Sequence, residues 1–355
     1  MRPIRATISL SALAHNLAVA KRHAPNSAIM AVVKANGYGH GLLNVAMGMH
    51  DADGFAVLNL SEAIDLREAG YDQTIMLLEG AFSVQELKIA SSYSADLVVH
   101  AMPQLDMLEK TNLLRPVHIH LKMNSGMNRL GFRPEIYRTV YERLKACKNV
   151  SGITLMTHFA TADEEVGIAA ALDVFQKTTS GLAGKVSLAN SATILRHPQA
   201  HADWVRPGIM LYGATPISGT SVSAFDLKPV MQLSSEIIAV QGIQTGESVG
   251  YGNRFTAAKP TRVGIVACGY ADGYPRHAPN GTPVAVGGKL TRTIGRVSMD
   301  MLFADLTDIP EASIGAPVEL WGAQVPVDAV AEKSGTVGYE LLCAVAQRVP
   351  MRMVD

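Results

Sequence analysis

Apolar runs alternate with amphipathic stretches along the first part of the chain. Eight of the apolar runs are typical of buried strands, at residues 29–33, 55–58, 75–78, 96–99, 117–123, 152–157, 186–189 and 205–212. Helical patterns lie between them at residues 61–69, 84–91, 104–109, 135–146 and 164–178. A strand over residues 4–9 and a helix capped by Ser11 come first. Eight strand–helix units predict a closed (β/α)8 barrel, with an open doubly wound sheet as the alternative.

The pattern changes after Pro216, where residues 217–224 predict a linker or long loop. Short β-rich runs with frequent glycines follow at residues 232–241, 262–268, 282–286, 290–294, 303–306 and 317–321. They predict a second, mostly antiparallel β unit. We therefore expect a barrel over residues 1–226 and a β-rich unit over residues 227–355. Residues 1–10 are a candidate to pack against the second unit.

Composition and charge narrow the class of protein. Among 355 residues, Lys and Arg together number 31, as do Asp and Glu, so no basic stripe favours a nucleic-acid partner. The N-terminus lacks the apolar core of a signal peptide, and the longest uncharged stretch, residues 207–225, is too polar for a membrane span. Three widely spaced cysteines form neither a zinc motif nor a disulfide framework. We expect a cytoplasmic protein that binds neither membranes nor nucleic acid.

A lysine and three glycines end the first predicted barrel strand. Lys34 follows residues 29–33, and Gly37, Gly39 and Gly41 then predict a tight, permissive loop. Burial at a strand end favours the neutral amine of lysine, which is a nucleophile suited to a Schiff base. The structural alternative is a lysine whose charged end reaches solvent from the strand end.

Polar residues end or follow most of the later predicted strands as well. With Lys34 they are Lys122, Arg129, His158, Asn190, Ser191 and Arg206. Because catalytic groups of a (β/α)8 barrel gather where the strands end, we expect these side chains to converge on one pocket. Two lysines and two arginines predict an anionic ligand, and barrels often bind phosphate after strands seven and eight, where Ser191 and Gly208 lie. A lysine facing a phosphate site predicts pyridoxal phosphate as the cofactor.

Eight motifs of the chain match bacterial alanine racemases in the same order. They are AVVKANGYGHG at residues 31–41, HLKMNSGMNRLG at 120–131, MTHF at 156–159, VRPGI at 205–209, GYG at 250–252, GYADG at 269–273, GRVSMD at 295–300 and YE at 339–340. The chain resembles these enzymes over nearly its whole length. The resemblance implies a barrel with a C-terminal β domain and a pyridoxal-phosphate-dependent isomerase. It further implies interconversion of L- and D-alanine that supplies D-alanine for peptidoglycan.

The resemblance also implies a role for each matching residue. Lys34 would hold the cofactor and act as one of two bases, and Tyr251 of the partner subunit in a homodimer would serve the opposite face of the substrate. The residues implied in cofactor binding are Lys34, Tyr38, Arg129, His158, Asn190, Ser191, Arg206, Gly208, Ile209 and Tyr339. Arg129 and Met299 would bind the substrate, and Lys122 would carry a carbamate. Asp163, Tyr270, Arg276 and Arg296 match positions along the corridor through which the substrate enters.

Two of the implied roles make chemical demands. A phenol is a poor base at its reference pKa of about 10, so Tyr251 needs positive charge nearby, for which Arg206 and Arg276 are candidates. Arg206 would face the cofactor's ring nitrogen. Since a guanidinium hardly ever gives up its proton, that nitrogen would stay unprotonated, which limits side reactions such as transamination.

Other functions are kept as alternatives, and the first is a racemase of the same fold with broader specificity. His118, His120 and Lys122 share one strand face, as in a barrel metal hydrolase, but both histidines precede the strand end, so we expect core packing and no metal. A non-catalytic pyridoxal-phosphate-binding protein would need neither the second unit nor Tyr251. A decarboxylase of the same fold lacks its cysteine-bearing motif here. The G-x-G-x-G run at residues 37–41 departs from the dinucleotide-binding fingerprint.

Overall fold

The predicted barrel strands form a closed parallel barrel. The structure, a computed structural model, describes residues 2–355. Its first nine strands are β1 (Arg5–Ser9), β2 (Ala28–Val32), β3 (Gly54–Val57), β4 (Thr74–Leu77), β5 (Asp96–Val99), β6 (Val117–Lys122), β7 (Val150–Met156), β8 (Lys185–Ser187) and β9 (Trp204–Val205). Each strand from β2 to β8 pairs in parallel with the next, and β9 pairs with β2. The closed barrel is confirmed, and the open sheet is wrong.

Helices connect the barrel strands. They are α1 (Leu10–His23), α2 (Lys34–Tyr38), α3 (Leu42–Gly48), α4 (Leu60–Glu68), α5 (Val84–Ser92), α6 (Met102–Lys110), α7 (Pro134–Ala146), α8 (Ala169–Thr179) and α9 (Ser191–Arg196). The hydroxyl of Ser9 accepts a hydrogen bond from the N–H of Ala12 at 3.0 Å, so Ser9 and not Ser11 caps α1. Pro134 begins α7, where the N–H that it lacks is not needed. No helix within residues 2–355 has both the length and the apolar composition that crossing a bilayer requires.

Burial of the strands explains why they form the core. All four residues of β3 are buried, and Phe55, Ile75, Leu97 and Ile119 on successive strands are at most 2% exposed. Such strands are typical of a parallel sheet that is covered on both faces. Parallel pairing brings the carboxyl ends of all eight strands together, which is where the polar residues of the sequence lie.

A second sheet is built around one long strand. Its elements are β10 (Met231–Ile243), β11 (Ser248–Val249), β12 (Phe255–Thr256), β13 (Thr261–Val266), β14 (Pro283–Val286), β15 (Lys289–Arg292), β16 (Leu302–Asp305), β17 (Pro317–Trp321), α10 (Val327–Lys333), α11 (Gly338–Cys343) and β18 (Met351–Val354). The order is β15-β14-β17-β10-β1-β18, with β13 bridging β10 and β16, while β11 and β12 pair separately. All pairs are antiparallel except β1 with β18. The mostly antiparallel unit is confirmed.

The first strand of the chain belongs to this second sheet. β1 pairs antiparallel with β10 and parallel with β18, and it leads directly into α1 of the barrel. Both ends of the chain are therefore held in the same sheet. The domain boundary at residue 226 stays a prediction.

Some segments differ from the predicted pattern, each for a local reason. The last predicted strand is a strand only over β9, because Pro207 lacks an N–H and Gly208 leaves the extended conformation. Residues Ile209–Tyr212 form a 3-10 helix instead. The segment 160–168 forms turns, so α8 begins only at Ala169. The pattern did not predict α10, α11 and β18, since elements of four to seven residues are too short to show a period.

Candidate active site

A cavity of about 660 Å³ opens at the carboxyl ends of the barrel strands. It brings together twelve of the residues predicted to form the site: Lys34, Tyr38, Lys122, Arg129, His158, Asp163, Asn190, Ser191, Arg206, Gly208, Ile209 and Tyr339. Eleven of them come from the barrel, and Tyr339 comes from α11 of the second unit. The predicted convergence on one pocket is therefore observed for these residues.

Lys34 is followed by one turn of left-handed helix. Ala35, Asn36, Gly37 and Tyr38 have φ values of 55°, 53°, 63° and 51°. Left-handed helical backbone costs roughly 1–2 kcal/mol for each residue with a Cβ, so other contacts must hold it. Among them, the carboxylate of Glu62 accepts the N–H of Asn36 at 3.1 Å. The predicted loop is thus a strained and well-defined turn, which is typical of functional sites.

The left-handed turn places Tyr38 beside the loop that follows β9. Its ring stacks on Tyr212 with centroids 4.5 Å apart, and Tyr339 lies tilted against it at 6.1 Å. A Cβ atom at Gly208 would lie only 2.7 Å from the phenol oxygen of Tyr38. Residue 208 therefore has to be glycine for the phenol to lie against the backbone of this loop.

Hydrogen-bond donors gather around Ser191. Its hydroxyl oxygen accepts the N–H of Gly208 at 2.9 Å, which leaves its own proton free to donate. Asn190 caps α9 by accepting the N–H of Thr193 at 3.0 Å, and it donates to the carbonyl of Phe159 at 3.2 Å. The phenol of Tyr38 is close to Gly208 as well. Within residues 2–355 the hydroxyls of Ser191 and Tyr38 and the N–H of Ile209 have no acceptor, so they are free to donate to a phosphate, and the absent side chain of Gly208 gives room for it.

Arg206 is a buried cation without a carboxylate partner. Its guanidinium donates to the hydroxyl of Ser187 at 2.6 Å and to the carbonyls of Thr157 and Leu188 at 2.7 and 3.2 Å. Burial lowers the pKa of Arg206 to about 10, so it remains charged at pH 7. Its three hydrogen-bond acceptors are neutral oxygens, and the residue lines the cavity.

Lys122 and His158 lie in the field of the other cations. Burial, followed by the charges of Arg206, Arg129 and Lys34, lowers the pKa of Lys122 to about 8. Burial and the same cations hold the pKa of His158 well below its usual value, so its imidazole is neutral at pH 7. The cavity therefore contains one lysine that readily loses its proton and a histidine that does not gain one.

Five of the predicted residues do not line the cavity of their own chain. They are Tyr251, Tyr270, Arg276, Arg296 and Met299, and all lie in the second unit. Tyr251 is 71% exposed and Met299 is 54% exposed, so both side chains are accessible on the surface of the single chain. Arg296 comes within 3.7 Å of a Cβ position at Gly252, and Arg276 lies over the ring of Tyr270.

Comparisons with known proteins show the family of the chain. The family model for the alanine racemase N-terminal domain matches residues 8–216, and the model for the C-terminal domain matches residues 230–353. The chain is 56% identical over 353 residues to the alanine racemase of Burkholderia mallei, covering 99% of both chains. The chain belongs to the alanine racemase family.

Individual members of the family show how close the match is. The catabolic alanine racemase of Salmonella typhimurium is 54% identical over 351 residues, covering 98% of both chains. The crystal structure of the biosynthetic alanine racemase from Pseudomonas aeruginosa is 48% identical and superimposes with a TM-score of 0.98 over 100% of both chains. Similar proteins thus include both a catabolic and a biosynthetic alanine racemase.

Sequence reasoning missed two ionisable residues that line the cavity of this alanine racemase family member, Glu79 and Cys343. Glu79 follows β4, and the rule that found Lys122 and Arg206 at strand ends could have found it. Its charge is one of the few negative charges facing Lys122. Cys343 lies at the end of α11, a helix that the pattern did not predict, so no signal pointed to it.

The residues named for the metal-hydrolase alternative lie in two separate places. His118 and His120 lie near Asp96, with one ligand atom of each residue within 4.8 Å of the others. However, His118 is hydrogen-bonded to Thr154 at 2.8 Å and His120 to Asp96 at 3.2 Å. Lys122 lines the cavity, whereas Asp96, His118 and His120 do not. The hydrogen bonds of the two histidines favour a packing role inside the barrel, and Nδ1 of His120 is buried without a hydrogen-bond partner within residues 2–355.

Proposed function

We propose that this chain interconverts L- and D-alanine with pyridoxal phosphate, using Lys34 and the partner subunit's Tyr251 as two bases. The observation that carries the proposal is the set of unpaired cations facing Lys34 beside a group of phosphate-binding donors. Membership in the alanine racemase family supports the reaction and the isomerase class. Bound pyridoxal phosphate withdraws electrons from the substrate and makes its Cα proton acidic.

The cofactor fits the residues that line the cavity. Ser191, Tyr38 and the backbone of Gly208 and Ile209 would bind its phosphate, and Tyr339 would close the phosphate end of the cavity. Lys34 would hold the cofactor covalently. Asn190 and His158 would act through their neighbours: Asn190 fixes the start of α9, and His158 is a neutral group near Arg206.

Racemisation needs one proton removed from one face of Cα and another delivered to the opposite face. The amine of Lys34 would exchange the proton on one face, and the phenol of Tyr251 of the partner subunit would do so on the other. Because a phenol is a poor base at its reference pKa of about 10, the reaction needs positive charge near Tyr251. The guanidinium of Arg296 lies beside the turn that carries Tyr251, which adds a candidate for that charge.

Arg206 would set the outcome of the reaction. Since its hydrogen bonds already go to three oxygen acceptors, the guanidinium is held in place by donating and has no proton to release at pH 7. A ring nitrogen facing it would stay unprotonated. This favours return of the proton to Cα over transfer to another position.

Two groups would bind the substrate carboxylate. Arg129 is exposed at the cavity and supplies a guanidinium, and the backbone N–H of the partner subunit's Met299 supplies a second donor. Lys122 would carry a carbamate, since its pKa of about 8 makes the neutral amine accessible at mildly alkaline pH and three neighbouring cations would stabilise the anion formed. Asp163, Tyr270, Arg276 and Arg296 would line the corridor for substrate.

A homodimer with shared sites would complete the enzyme. We place its role in supplying D-alanine for peptidoglycan in the cytoplasm. The relatives include one named catabolic and one named biosynthetic, so a catabolic role is the second candidate. Broader specificity is the second candidate for the substrate, because every amino acid presents the same carboxylate to Arg129.

One assay tests the reaction and its breadth. Purified protein loaded with pyridoxal phosphate is incubated with a panel of L-amino acids, and D-enantiomers are measured by chiral chromatography. We expect fast racemisation of alanine, slower racemisation of serine and none of bulky amino acids. The variants Lys34→Ala and Tyr251→Phe should lose the activity. Absence of any racemisation by the wild-type protein would overturn the proposal.

A further inference from the structure

Met299 and Tyr270 lie on two short turns that are packed into one unit. The N–H of Tyr270 donates to the carbonyl of Ser298, and the N–H of Ala271 donates to the carbonyl of Met299, both at 3.0 Å. A Cβ atom at Gly269 would lie 2.4 Å from the carbonyl oxygen of Met299, so only glycine allows this approach. Contacts that fix the Tyr270 turn therefore also fix the Met299 turn.

Four charged residues hold this pair of turns, and we call them the Asp272 cluster: Arg2, Asp272, Asp300 and Arg348. Asp272 is fully buried, and its carboxylate accepts the N–H of Gly269 at 3.0 Å. The same carboxylate accepts from Arg348 at 2.7 Å and from Arg2 at 3.1 and 3.2 Å. Arg348 also donates to the Asp300 carboxylate at 2.5 Å, and Arg2 donates to the Asp300 carbonyl at 2.7 Å.

The Asp272 cluster holds the residue next to Met299 from two directions. Arg348 binds the side chain of Asp300, while Arg2 binds its backbone. Within residues 2–355, the N–H of Met299 itself has no hydrogen-bond acceptor. A backbone N–H that is free, exposed and held in a fixed turn is a suitable donor for a carboxylate.

We propose that Arg2, Asp272 and Arg348 are positioning residues for recognition of the substrate carboxylate. They hold the Met299 turn so that its free N–H, together with Tyr270, is presented to the cavity of the neighbouring subunit. The inference rests on the proposed function, in which Met299 of the partner subunit enters the site.

The proposal predicts a specific kinetic change. A donor to the carboxylate contacts the substrate both before and during proton transfer, so its displacement weakens both states equally. Such a loss raises KM and leaves kcat unchanged. A role confined to stability would instead lower the amount of active enzyme, and therefore kcat, with KM unchanged.

The test compares Arg348→Met, Arg348→Lys and a matched control in the full-length holoenzyme. The control is Arg143→Met, because Arg143 is also held by two carboxylates, those of Asp106 and Glu109, but lies on α7 away from the cavity. We expect KM for L-alanine to rise several-fold in Arg348→Met, with kcat and the dimer unchanged. Arg348→Lys should recover part of the loss, since an ammonium can still bind one carboxylate. Arg143→Met should leave KM unchanged.

Binding of propionate is a second measurement, and it does not depend on turnover. Propionate keeps the carboxylate of alanine and lacks the amine. Its affinity, measured by calorimetry, should fall in Arg348→Met by the same factor as KM rises. An unchanged KM and propionate affinity, or equal changes in Arg143→Met, would overturn the inference. A wild-type protein that binds propionate without racemising alanine would overturn the proposed function instead, while the comparison of propionate affinities would still test the positioning role.

Discussion

Two groups of charged residues in this molecule differ in whether their cations have partners. In the cavity, none of Lys34, Lys122, Arg129 and Arg206 takes part in an ion pair formed within residues 2–355. In the Asp272 cluster, two arginines and two aspartates are bound to one another.

The difference separates two uses of charge. Burying a cation without a partner costs desolvation free energy. Where several unpaired cations lie together, binding of an anion offsets that cost. The paired charges of the Asp272 cluster already have partners, so they need no ligand to offset their desolvation. They fix the geometry of the turns that they join. The unpaired cations of the cavity therefore indicate where an anionic ligand binds. The ion pairs of the Asp272 cluster indicate which turns have to keep a fixed position.

The largest expected effect tests whether one site needs two chains. Lys34→Ala and Tyr251→Phe should each reduce racemisation by roughly 10²-fold to 10⁴-fold, since each removes one acid–base group. When the two variants are mixed and allowed to exchange subunits, hybrid dimers contain one site with both bases. Activity should return to about a quarter of the wild-type value, because half of the randomly formed dimers carry one intact site out of two.

Activity that stays at the level of the separate variants after verified subunit exchange would contradict the shared site. As a control, a mixture of Lys34→Ala with Lys34→Arg should recover nothing, since no hybrid then contains Lys34 opposite Tyr251.

The next effect concerns the choice of reaction at Arg206. Replacing Arg206 with Glu puts a carboxylate where a guanidinium now binds three oxygen acceptors, so racemisation should fall and transamination should rise. Pyruvate formed from L-alanine, measured with lactate dehydrogenase, reports the side reaction. An Arg206→Glu protein that forms no more pyruvate per racemisation event than wild type would refute the role. Arg129→Glu serves as the control for a charge reversal elsewhere in the cavity.

Stability should respond oppositely in the two groups of charges. Asp272→Asn leaves Arg2 and Arg348 without their shared carboxylate. Because the two arginine side chains are 40% and 43% exposed, water screens their charges, and we expect a loss of about 1–3 kcal/mol. Arg206→Met removes an unpaired buried cation, so the cofactor-free protein should keep its unfolding free energy or gain some. Urea unfolding of the cofactor-free proteins measures both. Equal destabilisation by the two substitutions would remove the distinction drawn between paired and unpaired charges.

A smaller effect is expected at Lys122, whose pKa of about 8 makes its amine available to carbon dioxide. Carbamylation needs the neutral amine, so the modified fraction should rise with pH through about 8 at fixed bicarbonate. Carbon-13 NMR of protein equilibrated with labelled bicarbonate measures the carbamate. The signal should vanish in Lys122→Ala and persist in Lys177→Ala, a control at an exposed lysine paired with Asp173. A signal equal in both variants would exclude Lys122 as its source.

Much of the barrel and its mouth could be predicted because strand periodicity and strand ends are local features. Lys34, Lys122 and Arg206 each end or follow an apolar run, and parallel closure then forces them together. The left-handed turn after Lys34 could not be predicted, since Ala35 and Tyr38 have no local preference for it and Glu62 stabilises it from another helix.

The second unit shows where single-chain patterns fail. Tyr339 reaches the cavity from α11, about 130 residues after Ile209 in the sequence, and only packing against Tyr38 brings it there. Tyr251 and Met299 lie outside the cavity of their own chain, so no pattern within one chain could place them in a site. Resemblance to the family, and not periodicity, identified them.

The smallest expected effect concerns Asp328, which joins the two units at the phosphate end of the cavity. Its carboxylate accepts the N–H of Thr215 from the barrel at 2.9 Å, and a Cβ atom at Gly338, next to Tyr339, would lie 2.6 Å from it. Burial raises the pKa of Asp328 from 3.8 to about 6. Because the folded state favours the protonated acid, the stabilising contribution is complete below pH 3.8 and is lost as the pH rises through about 6.

Replacing Asp328 with Asn keeps an oxygen acceptor for Thr215 and removes the charge. The pKa difference corresponds to at most about 3 kcal/mol, and partial exposure reduces it. Asp328→Asn should therefore be as stable as wild type at pH 4 and more stable by about 1–2 kcal/mol at pH 8, in unfolding by urea. Because protonation and amide substitution act on the same group, the variant should also lose the wild-type decline in stability between about pH 4 and pH 6. A stability difference that is the same at pH 4 and pH 8 would show that Asp328 stays ionised in the folded protein, and that the junction at Tyr339 tolerates its charge.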